Sequence, residues 1–269
     1  MVERRSPEDL CFPCYGASPA RRVRCRATRD TGDSLRRRTE DPGRRALIER
    51  INTAVKFTNF VKYRDLERIA GARPAHFAYA DRLRAQGRLA IGGPLLDDQG
   101  RRIGLLFVYE AVSRGAALAF AKEDPFTLAN ALSGYEITEW RLRGVNLDLL
   151  IKANRSADQS GGANTQIRLF ANYAKYGADQ TRLATVRPAH WEYDRTLKNV
   201  GKLALAGPFA NDEGGLFVYN ALRKEEAMSY LKQDPFAVEG VLADYELLEW
   251  LIEGVNPDLL ASDFSSEQE

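Results

Sequence analysis

A short motif that contains both histidines of the chain occurs twice and carries the clearest candidate chemistry. Residues 73–79 begin with Arg-Pro-Ala-His and end with tyrosine, and residues 187–193 repeat this pattern. We predict that a helix begins near each Arg-Pro pair, because proline is favoured in the first helical turn. His76 and His190 would then feel the positive helix end, which disfavours the imidazolium form. A neutral imidazole can act as a general base in proton transfer or elimination.

Two other side chains of each motif are candidates for substrate binding. Arg73 and Arg187 would orient an anionic substrate, although an exposed arginine beside a helix start is also ordinary. Tyr79 and Tyr193 lie one helical turn beyond the histidines, so they would face the same cleft. Core packing is the alternative for both tyrosines. The sequence therefore predicts these four residues as the substrate-binding set, with a small molecule as the ligand.

The histidine motif belongs to a larger tandem duplication. Segments such as Gly-Pro, Leu-Phe-Val-Tyr, Asp-Pro-Phe and Glu-Trp recur in the same order in both halves of the chain. Each copy spans roughly 100 residues, which is a normal size for a unit with its own core. We predict repeat 1 at residues 51–150, a flexible linker at 151–164 and repeat 2 at 165–262. An arginine-rich leader at residues 1–50 has few large aliphatic side chains, so we expect it to be disordered.

Each copy predicts the element order βαββαβ. Alternating apolar and polar residues indicate a first strand, and the histidine helix that follows ends at Gly87 or Gly201. Two closely spaced strands then indicate an antiparallel hairpin, and Ser113 is predicted to cap the next helix of the first copy. The last strands end at Trp140 and Trp250, where we expect edge packing. This order is the ferredoxin-like arrangement of the α+β class.

A ferredoxin-like sheet has helices on one face only, so its other face needs a partner. A second copy in the same chain supplies that partner. We therefore predict that the two sheets pack face to face as an intramolecular pseudo-dimer, a dimeric α/β-barrel built from one polypeptide. Further oligomerisation is left open.

The series of motifs in each copy resembles the YCII-related (YciI-like) family. Arg-Pro-Ala-His, Gly-Pro, an acidic turn, a glycine-led apolar strand and Asp-Pro-Phe occur in this order at residues ~53–143 and ~165–253. The resemblance implies a ferredoxin-like fold that dimerises through its sheets. It also implies a cleft with a His and Asp pair proposed to be catalytic, and a chemical precedent in a dehydrochlorinase that acts on a chlorinated hydroxyhydroquinone. The family's typical member is a single short domain, whereas this chain is fused and has a long leader.

Carried over by the resemblance, the catalytic residues are His76 with Asp124 and His190 with Asp234. An aspartate bonded to the far nitrogen of each imidazole would fix its tautomer and stabilise the proton that it takes. No cofactor is expected for such chemistry. The alternative is structural, since an aspartate directly before proline is also typical of a helix N-cap. A Ser-His-Asp hydrolase is disfavoured because no serine recurs in both copies.

Composition restricts the partners and the location. The net charge of +2 comes from arginines of the leader, so the repeats have no basic excess to attract nucleic acid. No run approaches the ~20 apolar residues that cross a bilayer, so no membrane association is expected. Residues 22–27 resemble the processing site of a chloroplast transit peptide, although the acidic residues of the leader are atypical. The predicted location is the chloroplast, with an incidental basic tail on a cytoplasmic protein as the alternative.

The cysteines do not support the fold or a metal site. Cys11, Cys14 and Cys25 all lie in the leader, which contains no histidine to complete a zinc site. We therefore expect no metal. Two functional hypotheses follow for the repeats. One is a cofactor-free His/Asp acid-base enzyme of the lyase or elimination type, and the other is a non-catalytic ligand-binding or assembly module in which the His and Asp pair is structural.

Overall fold

The computed structural model describes residues 54–158 and 167–261, with side chains omitted at 155–158. The predicted leader at residues 1–50 therefore lies outside the described residues. The predicted linker at residues 151–164 lies outside the described residues only in part, because its first residues continue a helix to Asp158. This part of the linker prediction is wrong, since an apolar face that includes Leu150 and Ala153 packs on the core.

The two repeats contain the same elements in the same order, each followed by a short strand and a helix. In repeat 1 these are β1 (Val55–Lys62), α1 (Leu66–Ala85), β2 (Leu89–Leu96), β3 (Arg102–Ala111), α2 (Arg114–Glu123), α3 (Pro125–Leu128), β4 (Ile137–Trp140), β5 (Gly144–Val145) and α4 (Leu147–Asp158). In repeat 2 they are β6 (Leu169–Tyr176), α5 (Gln180–Asn199), β7 (Leu203–Pro208), β8 (Gly214–Asn220), α6 (Lys224–Gln233), α7 (Pro235–Val238), β9 (Leu242–Trp250), β10 (Gly254–Val255) and α8 (Pro257–Ala261).

The strands of each repeat pair in the ferredoxin-like order. The order is β4-β1-β3-β2 in repeat 1 and β9-β6-β8-β7 in repeat 2, and all of these pairs are antiparallel. The two central strands carry most of the pairing, since β1 matches eight residues of β3. The predicted βαββαβ units of an α+β fold are confirmed.

The two sheets join at both edges and form one closed barrel. Leu95 of β2 pairs with Trp250 of β9, and Trp140 at the end of β4 forms a bridge pair with Phe209 just beyond β7. The chain after each last strand also crosses to the other repeat, because β5 pairs with β7 and β10 pairs with β2. The intramolecular α/β-barrel predicted from the duplication is therefore confirmed, and its strands exchange between the repeats.

Three apolar clusters stabilise this arrangement. One cluster fills the barrel interior with side chains of both repeats, and the other two lie between each sheet and its own helices. Trp140 and Trp250 belong to the interior cluster and are only 2% and 1% exposed. Their indole N–H groups donate to the carbonyls of Gly207 at 2.8 Å and Gly93 at 3.2 Å in the opposite repeat. The prediction of edge packing for these tryptophans is wrong, because the second repeat converts each edge into an interior.

Glycine permits the close crossing of the two repeats beside each tryptophan. A Cβ on Gly207 would lie 2.1 Å from the carbonyl oxygen of Arg141, and one on Gly93 would lie 1.9 Å from that of Leu251. Both obstacles are backbone atoms of the opposite repeat, which cannot rotate away. A close backbone approach is what glycine at these positions predicts, but nothing within one copy shows that the approaching backbone belongs to the other repeat.

Gly207→Ala is expected to lower the free energy of unfolding by about 1–3 kcal/mol, the usual cost of forcing an extra methyl into a packed site. Urea denaturation followed by circular dichroism measures this change. Gly71→Ala is the matched control, since its Cβ would meet no heavy atom within 4 Å inside α1. That variant should gain about 0.5–1 kcal/mol, because alanine favours helix over glycine. Equal effects of both changes would contradict the crossing argument.

The histidine helices begin earlier than the sequence predicts. The Asp65 carboxylate accepts from the N–H groups of Glu67 and Arg68, so α1 starts at Leu66 and Pro74 lies inside it. Asp179 caps α5 in the same way. The histidines therefore lie in the middle of their helices, and the expectation of a first-turn position is wrong. The predicted helix ends are correct, because Gly87 and Gly201 follow the last turns with positive φ angles of 64° and 71°.

Each histidine helix leaves one aromatic ring on the surface. Phe77 and Trp191 point outward and are 42% and 48% exposed. The residue before each of them, His76 or His190, is buried instead. The helix thus directs its imidazole toward the sheet and leaves an aromatic ring on the surface. Among the described residues, no helix is long and apolar enough to cross a membrane.

Candidate functional site

Each repeat brings its histidine and its Asp-Pro-Phe aspartate into direct contact. Nδ1 of His76 lies 2.8 Å from Oδ1 of Asp124, and Nδ1 of His190 lies 2.8 Å from Oδ1 and 2.9 Å from Oδ2 of Asp234. The four side chains are almost completely buried, with each histidine 3% exposed. An ionised carboxylate only accepts, so Nδ1–H must be the donor in each pair. In a neutral imidazole the lone pair is then on Nε2.

The same aspartates also hold a short helix in place. Oδ1 of Asp124 accepts from the N–H of Phe126 at 2.8 Å, and Asp234 accepts from that of Phe236 at 2.8 Å. The N-cap alternative suggested by the sequence therefore describes these residues correctly. A second role is not excluded, because one carboxylate accepts both from the N–H at the helix start and from the imidazole.

Phenylalanine rings fix the plane of each imidazole. The His76 ring stacks on Phe126 with centroids 3.9 Å apart and lies nearly parallel to Phe107 at 5.6 Å. His190 stacks on Phe236 at 3.9 Å and meets Phe217 edge-on. These rings are not among the site residues predicted from the sequence. Their recurrence could have indicated them, because all four belong to the repeated Leu-Phe-Val-Tyr and Asp-Pro-Phe motifs.

Tyr79 and Tyr193 use their hydroxyls on main-chain groups rather than on the imidazoles. The Tyr79 hydroxyl donates to the carbonyl of Phe120 at 2.9 Å, and that of Tyr193 donates to the carbonyl of Tyr230 at 2.8 Å. These bonds tie each histidine helix to the helix that follows β3 or β8. Burial raises the pKa of both hydroxyls to about 12. The contacts support the packing alternative for this pair.

A different pair of tyrosines lies beside the stacked rings. Tyr63 at the end of repeat 1's first strand contacts the edge of Phe126, and Tyr176 contacts Phe236 in the same way. Burial raises the pKa of Tyr63 to about 12, while the guanidinium charges of Arg102 and Arg73 act in the opposite direction. The Arg73 guanidinium therefore lies within electrostatic range of the Tyr63 hydroxyl. The sequence signal missed here was the recurrence of tyrosine at one register of β1 and β6.

Repeat 2 adds a second carboxylate to its histidine. Oδ2 of Asp194, one turn further along α5, lies 3.4 Å from Nε2 of His190, whereas the equivalent residue of α1 is Ala80. Burial alone would lower the pKa of His190, but the hydrogen bond to Asp234 and the charge of Asp194 raise it above its usual value. Burial raises the pKa of Asp194 to about 7, with the charge of Asp234 acting in the same direction and His190 against it. The raised pKa of His190 therefore acts against the neutral imidazole that the sequence leads us to expect.

The arginines of the two motifs also have different surroundings. Arg187 forms an ion pair with Asp212 at 3.2 Å. The residue equivalent to Asp212 in repeat 1 is Arg102, which pairs with Glu253 of repeat 2 at 2.6 Å. Over residues 54–158 and 167–261, no carboxylate forms an ion pair with Arg73. The arginine of repeat 1 is thus available, and that of repeat 2 is engaged.

A comparison with protein families decides the classification. The model of the YCII-related domain matches twice, at residues 55–141 and 169–251. The chain belongs to the YCII-related domain family. The resemblance stated from the sequence motifs is confirmed, in two tandem copies. A search of curated proteins found no match.

Solved structures similar to this YCII-related chain include three kinds of protein. A 5-chloro-2-hydroxyhydroquinone dehydrochlorinase from Burkholderia phenoliruptrix, in complex with 2,5-dihydroxybenzoquinone, is 28% identical over 32% of this chain and 93% of its own, with a TM-score of 0.29. A chlorite dismutase from Candidatus Nitrospira defluvii is 12% identical over 79% and 96%, with a TM-score of 0.49. A protein described as a monooxygenase from Lactobacillus acidophilus is 9% identical over 74% and 95%, with a TM-score of 0.45. Because each TM-score is below 0.5, none of these likenesses assigns a reaction to the chain.

One group of residues in the second YCII-related repeat comes close to the composition of a metal site. Ligand atoms of His190, Asp194 and Asp234 lie within 4.8 Å of one another. The two carboxylates approach opposite nitrogens of the imidazole, so the ring stands between them. A single ion cannot bind all three side chains in this arrangement, because each ligand atom must lie about 2 Å from the metal.

The described surface groove lies away from both histidines. Its volume is about 440 Å³, and it is lined by Lys224, Glu225, Met228, Ser229 and Lys232 along α6. A ligand in this groove would not contact either imidazole. The groove therefore adds nothing to the acid-base hypothesis for the YCII-related repeats.

Proposed function

We propose that the YCII-related repeats provide a His/Asp acid-base site that acts by proton transfer or elimination on a small molecule. The catalytic residues would be His76 with Asp124 and His190 with Asp234, and Arg73 and Arg187 would orient an anionic group of the substrate. The observation that carries the proposal is the 2.8 Å contact between Nδ1 and a buried carboxylate in both repeats. This contact sets the tautomer that leaves Nε2 as the base.

The proposed reaction uses the two ends of the imidazole differently. Nε2 takes a proton from the substrate, and the aspartate at Nδ1 stabilises the imidazolium that forms. The electron pair left on the substrate shifts and expels a leaving group on a neighbouring carbon. For a chlorinated hydroquinone, one hydroxyl proton first moves to the carbon that bears the chlorine, which gives a keto tautomer. Loss of a second hydroxyl proton to Nε2 then expels chloride from that carbon and leaves a hydroxyquinone. The burial of the pair strengthens its electrostatic interaction, because the local dielectric constant is low.

A non-catalytic module of the same fold is the second candidate, and one observation favours it. Each imidazole is 3% exposed and each aspartate caps a short helix, as a purely structural pair would do. In that case the His and Asp pairs would only join the histidine helices to α3 and α7. The two candidates differ in what removal of the imidazoles does to turnover and to stability.

Chloride release from 5-chloro-2-hydroxyhydroquinone tests the acid-base proposal. The wild-type chain is expected to accelerate release over buffer, and a variant with both His76→Asn and His190→Asn should lose about 100-fold in kcat/KM. Asparagine keeps a polar group in the buried position, so the double variant should still fold. Its folding is checked by circular dichroism and by the urea midpoint.

Two outcomes would contradict the proposal. A wild-type rate equal to that of buffer would exclude this elimination, and an unchanged rate in the folded double variant would exclude the histidines. Loss of cooperative unfolding in both single variants, with no wild-type turnover, would favour the structural module.

A chloroplast destination stays a proposal that rests on the composition of the leader, with a cytoplasmic location as the alternative. Association into larger oligomers is likewise a proposal for this chain. Both concern properties beyond the described residues of the two repeats.

A further inference from the structure

The two histidine sites share most of their residues, but they differ beside Nε2 of the imidazole and beside the arginine of the motif. Both keep the imidazole, the aspartate at Nδ1, the stacked phenylalanine and the arginine three residues before the histidine. Two of the differences introduce a carboxylate into repeat 2. Position 80 is alanine where position 194 is aspartate, and position 102 is arginine where position 212 is aspartate.

Both differences in repeat 2 place an internal carboxylate on a group that a ligand would otherwise use. Asp194 approaches Nε2 of His190 at 3.4 Å, and Asp212 pairs with Arg187 at 3.2 Å. Oδ1 of Asp194 is buried and makes no hydrogen bond with any described residue. An incoming anion would compete with Asp212 for Arg187, and a base reaction would find Nε2 of His190 already in contact with Asp194.

Repeat 1 has no internal carboxylate at the corresponding positions. Ala80 provides no acceptor for Nε2 of His76, whose described hydrogen bond is made through Nδ1. Arg102 stands where Asp212 stands in repeat 2, and its own charge is matched by Glu253 at 2.6 Å. Arg73 forms no ion pair with a described carboxylate, whereas Arg187 pairs with Asp212.

We infer that repeat 1 holds the ligand site, for a small molecule with an anionic carboxylate or phenolate group, and that repeat 2 is neutralised by its own Asp194 and Asp212. This inference deepens the proposed function and rests on it for the role of His76. Arg73 supplies the charge that binds the anion, which a guanidinium does through paired N–H donors. The second repeat keeps the fold of the barrel and completes repeat 1 through Glu253.

Nuclear magnetic resonance of the two histidines tests this assignment in the full chain. Because the chain contains only His76 and His190, single asparagine variants assign both Cε1–H signals. Benzoate, added to tens of millimolar at pH 7, is the probe. The His76 signal is expected to shift and saturate, while the His190 signal stays within experimental error.

Matched arginine variants connect the response to the proposed site. Arg73→Gln should weaken benzoate binding at His76 by about tenfold or more, since a charge-assisted hydrogen bond contributes that much. Arg187→Gln should change the same binding by less than twofold. Asp194→Ala combined with Asp212→Arg removes both internal carboxylates from repeat 2, and it should make the His190 signal respond to benzoate.

Several results would overturn the inference. These are a response at His190 alone, equal responses at both histidines, no response at either, and equal effects of the two arginine variants. The measurement reports binding and not turnover, so it separates this inference from the proposed reaction. A selective response at His76 without chloride release would leave the inference in place and remove the acid-base proposal.

Discussion

Trp250→Ala is expected to lower the free energy of unfolding by about 3–5 kcal/mol, as large aromatic truncations in cores do. The side chain is 1% exposed and packs in the cluster shared by both repeats. Its indole N–H donates to the carbonyl of Gly93 in the other repeat, and its backbone pairs with Leu95 there. The variant therefore loses apolar burial, opens a cavity and leaves a buried carbonyl without its donor. Urea denaturation followed by tyrosine fluorescence and circular dichroism measures the change.

The three tryptophans of the chain form their own controlled series. Trp140→Ala should cost about the same 3–5 kcal/mol, because Trp140 holds the other junction of the barrel. Trp191→Ala removes an exposed ring and should stay within about 0.5 kcal/mol. Trp250→Phe separates packing from the hydrogen bond, since it keeps most of the ring volume. A cost at Trp191 equal to that at Trp250 would show that the junctions do not determine stability.

The tryptophans also show where sequence patterns stop being informative. Within one copy, Trp140 is the last residue of an outer strand, and edge packing is the natural prediction. The strand becomes interior only because the chain beyond it crosses to β7 of the second repeat. Contacts between repeats depend on how two surfaces fit, and no periodicity within either copy encodes that fit. The face-to-face pairing itself was predictable, because each sheet has only one face covered by helices.

The candidate site was predictable to the extent that it is local. The motifs placed His76 and Asp124 as partners, and the 2.8 Å contact is where the resemblance led us to expect it. The predicted start of α1 was wrong because it rested on Pro74, whereas the side chain of Asp65 caps the helix about two turns earlier. A proline in a helix interior is uncommon and costly, so local preference favoured the first turn. Tertiary packing outweighs that preference here.

The difference between the two sites was visible in the sequence only as an interrupted pattern. Asp194 interrupts the apolar face of α5 four residues after His190, a spacing that puts both side chains on one side of the helix. The helix pattern alone does not show which nitrogen of the imidazole the carboxylate approaches. In α5 the ring and the carboxylate share a buried face, which places them 3.4 Å apart. The polar residue that interrupts the apolar face thus contacts His190 and helps to raise its pKa.

Asp194→Ala is expected to remove a pH dependence of stability that the wild-type chain shows between about pH 4 and pH 7. Burial raises the folded-state pKa of Asp194 from its ordinary 3.8 to about 7. Between these values the folded chain binds one proton more than the unfolded chain, so stability falls as the pH rises and levels off above 7. The pKa of His190 is raised as well, and its contribution is also lost as the pH rises through the folded-state value. The Asp194 shift alone corresponds to about 4 kcal/mol at 1.36 kcal/mol for each pH unit.

The measurement is the free energy of unfolding at pH 5 and at pH 8 for the wild type and two variants. The decrease from pH 5 to pH 8 should be smaller in Asp194→Ala than in the wild type by about 2–3 kcal/mol, because only the two pH units below the folded-state pKa of about 7 fall in this interval. Asp81→Ala is the matched control, because Asp81 lies one residue beyond Ala80 on α1 and its side chain is 74% exposed. That variant should keep the wild-type decrease. If Asp194→Ala kept the wild-type decrease, the Asp194 carboxylate would be ionised in the folded chain at pH 5. Burial would then not have raised its pKa.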